Sequence, residues 1–121
     1  MPTSRSSPSP EVAALRAAAE DSCRQLRDQA RAQARLIRSG AVGELTEADV
    51  QRMAEEIIAA ARARLDAAAP HCQDPPSDPE LSATRREAAM IMDAVSRLAD
   101  AELRKAWQTR QEKAAGRRWR R

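Results

Sequence analysis

The residues able to do acid–base, nucleophilic or metal chemistry are few. There is one histidine, His71, followed directly by Cys72, with Asp74 and Asp78 shortly after. A zinc site needs three or four converging ligands at a recognised spacing, and this run does not have one. A Cys–His nucleophile pair requires that the side chains meet and that a rigid third group orient the base. Four prolines between positions 70 and 79 make that stretch a poor platform for such geometry. The other thiol, Cys23, falls on an apolar stripe and reads as a small buried hydrophobe. Two cysteines are not a disulfide framework, so both are expected as free thiols. The three glycines, at 40, 43 and 116, form no phosphate-cradling loop. No Glu-x-x-His occurs, which excludes the usual carboxylate-bridged di-iron bundle. The reading is of a protein that is not an enzyme and carries no metal or cofactor.

Charge is more informative. Residues 104–121 hold eight of the 21 basic residues and a single acid, Glu112, so the segment carries a formal +7. The first 103 residues hold thirteen basic and seventeen acidic residues, a formal −4. A block of one sign is a statement about partners rather than about fold. The arm ends Arg117-Arg118-Trp119-Arg120-Arg121. Guanidinium groups suit phosphate or carboxylate, and the indole suits stacking on a base. A second basic feature lies near the other end of the chain. Arg24, Arg27, Arg31, Arg35 and Arg38 recur at three- and four-residue steps, with Asp28 the one acid among them. At 100° per residue they share a helix face, about a third of a turn from the neighbouring apolar stripe. These ten residues are the candidate contacts for an acidic partner or a nucleic acid.

The elements that position them are helices. Alanine makes up about a fifth of the chain, aromatic content is 2%, and Phe, Tyr and Asn are absent. Ala, Leu, Arg, Glu and Gln are strong helix formers, and no useful run alternates as a strand would. The spacing predicts an all-α fold: an antiparallel helical hairpin with a long third helix packed on it, like a three-helix bundle. Residues 1–9 read as a disordered leader of Ser and Pro. The hairpin spans 10–69, with helices at about 10–38 and 46–69. Gly40 ends the first, Thr46 caps the second, and Leu45 staples onto Val50. A Pro-rich linker covers 70–79. The third helix covers 80–115, opened by Pro79 and closed by Gly116, and 116–121 form a basic tail. The expected third-helix stripe is Leu81, Ala88, Ile91, Met92, Val95, Leu98, Ala99, Leu103, Ala106 and Trp107. Asp93–Arg97 and Asp100–Arg104 are acid-before-base pairs four apart on its exposed face.

Ala-rich stripes remove little area from water at about 25 cal/mol per Å². The remedy expected is more burial between chains, by self-association or docking on a protein partner. No apolar run approaches the roughly 18 residues that span a bilayer, and the N-terminal segment does not resemble a secretory signal, so a cytoplasmic location is expected. The functional reading is a small non-enzymatic adaptor or assembly factor, with the basic arm for an acidic partner. The alternative is a nucleic-acid-binding accessory protein that contacts phosphates without sequence preference. Against it, the body is acidic and the strongest positive charge is confined to one end, whereas such binders usually spread it over a face.

Overall fold

The computed structural model describes residues 10–68 and 79–119, with the backbone alone at 117–119. Helix accounts for 93% of these residues, in three helices with no strand. They are α1 (Pro10–Ser39), α2 (Glu47–Ala68) and α3 (Pro79–Trp119). The Ser- and Pro-rich leader at 1–9 and nearly all of the 70–79 linker lie outside the described residues.

Each terminus has a local cause. Pro10 and Glu11 open α1, proline where no helical N–H is needed and the carboxylate near the positive end of the dipole. Gly40, at φ +75°, ends α1 in the left-handed conformation, its N–H donating to the Ile37 carbonyl at 3.3 Å. The N-terminus of α2 is closed by a reciprocal pair. The Thr46 N–H donates to Asp49 Oδ2 at 3.0 Å, and the Asp49 N–H donates to Thr46 Oγ1 at 3.2 Å. These bonds hold the Asp49 carboxyl below its ordinary pKa, the Thr46 backbone N–H being the largest cause. Leu45 and Val50 then pack in one apolar cluster, as the staple predicts.

The helices run up, down and up. One cluster joins Val12 to Ala30 of α1 with Leu81 to Ala99 of α3 and with Ala61 and Leu65 of α2. The other joins Ala34 and Ile37 with Leu103 and Ala106, and with Val50 and Ala54. α1 and α3 therefore ascend side by side, offset by about 68 residues, and α2 returns between the two levels. Eight of the nineteen buried apolar residues are alanine, so the helices approach closely while removing little area per residue. Thr84 and Ser96 are buried too, each hydroxyl satisfied by the carbonyl four residues back, Glu80 at 2.8 Å and Met92 at 2.7 Å.

The structure departs from the sequence reading in four places. α3 passes through Gly116 and runs to Trp119, so its 41 residues span about 60 Å. An exposed glycine disfavours helix by only about 1 kcal/mol, too little to end one this long. Ile91 and Leu98, expected in the core, are 45% and 64% exposed. Ala68, which by its step of three from the buried Leu65 is expected on the apolar face of α2, is exposed in the last turn. Asp93 pairs across helices with Arg62, at 2.7 Å, rather than with Arg97, because α2 lies along that flank of α3. The Asp100–Arg104 pair forms as expected, at 3.0 Å.

Candidate interaction surface

The top of the bundle is closed by a latch. Trp107 is half-buried, and its Nε1–H donates to the Leu45 carbonyl at 2.8 Å. Arg110 Nη1 donates to the carbonyls of Val42 and Gly43, both at 2.8 Å. α3 thereby ties down the α1–α2 loop, satisfying carbonyls that no helix uses. A shallow cleft of ≈ 320 Å³ lies beside the latch, between Leu45, Thr46 and the α3 segment from Trp107 to Ala114. Two of the eight basic residues of the arm thus have internal roles: Arg110 holds the loop and Arg104 faces Asp100. Beyond the latch, residues 111–116 are exposed, Lys113 among them. The backbone carrying Arg117, Arg118 and Trp119 continues this helix, while Arg120 and Arg121 lie outside the described residues.

The α1 row is where the spacing places it. Arg24, Arg27, Arg31, Arg35 and Arg38 are all exposed. Among the described residues none of the five is in an ion pair, so the row is left unneutralised. Cys23 is buried behind it. Burial pushes its thiol pKa up, against a smaller opposing pull from the Arg27 charge, which keeps it a thiol rather than a reactive thiolate. His71, Cys72, Asp74 and Asp78 lie outside the described residues, and within those residues no group of three or more His, Cys, Asp or Glu is placed to hold a metal.

Sequence reasoning missed a second strip. On α3, Met90, Ile91, Ala94, Leu98 and Ala101 are exposed, about a third of a turn from the buried positions, and Met90 is 71% exposed. Its flank meets α1. A small groove of ≈ 130 Å³ is lined by Arg16 and Glu20 of α1 and by Glu87 and Ile91 of α3. Seven residues, close to two turns, return a helix to nearly the same side. Seven on from Glu20 is Arg27, and seven on from Ile91 is Leu98. The arginine row and the apolar strip therefore run alongside each other on one face of the bundle. The signal available in the sequence was the width of the α3 apolar arc, from Met92 round to Met90, which is more than one helical neighbour covers.

Compared with protein-family models, curated proteins and solved structures, the chain matches none.

Proposed function

We propose that this chain is a non-enzymatic helical interaction protein, an adaptor or assembly factor that binds a protein partner through its helix faces. The observation carrying this reading is the α1–α3 face. It holds large apolar side chains in the open beside arginines with no carboxylate of their own. Soluble monomers seldom expose such patches unless something covers them. The alanine-rich core points the same way, because docking supplies burial that the bundle lacks. The buried thiol among the described residues, Cys23, is raised in pKa and so unsuited to nucleophilic work. The test is affinity capture with the full chain and with a chain lacking 104–121, each with and without nuclease. A defined protein partner retained after nuclease is the expected result, and loss of every partner on nuclease treatment refutes the reading.

A second reading, as a nucleic-acid-binding accessory protein, is favoured by the helical continuation of the basic arm to Trp119. A helix projecting past the bundle presents Lys113, and its backbone continues through Arg117 and Arg118. Such contacts neutralise phosphates without reading base edges, so binding falls steeply with salt. Titration of single- and double-stranded oligonucleotides at several salt concentrations tests it, and no binding at low salt removes it.

A further inference from the structure

We propose that the face shared by α1 and α3 is a docking site for one amphipathic α-helix of a partner protein, with large apolar residues along one stripe and Asp or Glu along its flank. The proposal rests on the interaction-protein reading and names the site and the chemistry of its occupant.

The apolar part is an exposed stripe on one helix face. Met90 and Ile91 lie seven to eight residues before Leu98, about 10–12 Å along the axis at 1.5 Å per residue. That matches anchors spaced two turns apart on an incoming helix. Ala94 and Ala101 sit between and beyond them, so a second backbone can approach closely there.

The charged part sets the sign of the partner. Alongside the strip run Arg24, Arg27, Arg31, Arg35 and Arg38, with Lys105 of α3 exposed at the same end. Glu20, Asp21, Asp28 and Glu102 lie within one helical turn of members of this set, and none is in an ion pair with them. The other end of the face carries Glu20 and Glu87. The gradient fixes polarity: the acidic flank of the docked helix lies over the C-terminal half of α1. Complementary charge of this kind guides encounter and rejects partners of the wrong sign.

A second copy of the chain fits less well. A twofold related copy laid antiparallel on the strip stacks one arginine row on the other. A copy laid parallel brings the row over the far flank of α3. There Asp93 and Asp100 are already engaged by Arg62 and Arg104, and Arg86 and Arg97 add more positive charge. The antiparallel arrangement offers only Glu20 and Glu87 to the outer part of the row, while Arg24 and Arg27 of the two copies meet at its centre, and the parallel one offers Asp93 and Asp100 already in ion pairs.

The probe is a synthetic helix of about three heptads with a leucine stripe and glutamate flanks, alongside a twin with lysine flanks. Binding to the full chain is read by fluorescence anisotropy at low and physiological salt. The glutamate peptide is expected to bind and the lysine peptide to fail. Met90→Ser with Leu98→Ser weakens the glutamate peptide by roughly tenfold or more, since the anchors of such a site dominate it. Arg27→Glu with Arg31→Glu does the same and flattens the salt dependence. Arg52→Glu, on the outward side of α2, leaves binding unchanged, and helical content by circular dichroism confirms that each variant is folded. Failure of the glutamate peptide to bind at micromolar concentration overturns the proposal, as does equal binding of both peptides. It is also overturned by a dimer that the Met90/Leu98 variant converts to monomer in sedimentation, or by binding to phosphatidylserine vesicles without binding to the peptide. Capture with the Met90/Leu98 variant separates the two levels: a partner still retained leaves the adaptor reading standing and this face excluded.

Discussion

Leu26→Ala and Leu98→Ala remove the same three carbons from two helices that pack side by side, and the structure predicts very different consequences. Leu26 is 0% exposed in the middle of the larger cluster, whereas Leu98 is 64% exposed on the strip. Three buried carbons at about 0.8 kcal/mol each give a transfer term near 2.4 kcal/mol. The cavity left behind adds to this, so Leu26→Ala is expected to destabilise by about 3 kcal/mol, within the usual 2–5. Leu98 keeps most of its surface in water already, so its truncation stays below about 1 kcal/mol. For a chain of this size each kcal/mol moves Tm by roughly 3–5 °C, which separates the two variants clearly. Guanidinium unfolding followed by circular dichroism, at a low and a high protein concentration, gives both numbers. Equal losses, or a larger loss for Leu98→Ala that persists on dilution, would refute the assignment of faces on α3.

Three other outcomes follow from the described contacts. Trp107→Phe keeps a six-membered aromatic ring but loses the pyrrole half and with it the Nε1–H that donates to the Leu45 carbonyl, so it costs at least about 1 kcal/mol, read by the same unfolding experiment. Asp49 titrates below its ordinary value because Thr46 bonds to its charged form. Its contribution to stability is therefore full above the unfolded-state pKa and lost as pH falls through the lower folded value. Asp49→Asn should destabilise most near neutral pH and progressively less below about pH 4, in unfolding curves taken across that range. Cys23 should resist alkylation in the native protein and react only on unfolding, while Cys72, in the Pro-rich segment, reacts first. Mass spectrometry after brief treatment decides this, and a Cys23 adduct in the folded chain would contradict its burial.

Much of the bundle was legible because local signals agree with the tertiary packing. Gly40, Thr46 and Pro79 mark termini with residues whose backbone or side-chain chemistry suits the ends of helices. The α1 stripe from Val12 to Ile37 is buried throughout, since each of its steps of three or four returns to the same side. The pattern on α3 was less decisive. Ile91 and Leu98 obey the same steps relative to Val95, yet only the arc facing α1 and α2 is covered, and periodicity does not give the width of a neighbour. The destinations of Asp93 and Arg110 were hidden for a related reason. Spacing along one helix ranks its internal pairs, whereas both residues find partners on other elements, at sequence separations of 31 and 68. The arginine row was visible as a row. That it borders an apolar strip depends on α1 and α3 running parallel, which follows only from the packing.

That parallel arrangement also bears on how the chain comes to be folded during synthesis. α1 buries most of its stripe against a helix made some 68 residues later, with α2 intervening. Contacts this distant in sequence raise the loop-closure entropy that must be overcome before any reward, which slows folding relative to a bundle stabilised by nearest neighbours. While a ribosome is still producing α3, the nascent α1–α2 hairpin presents Val12, Leu15 and Leu26 to solvent with only part of their cover in place. The interval before Leu103 and Ala106 emerge is therefore the period in which the young chain most needs shielding by a chaperone, and in which misassembly competes with the native bundle.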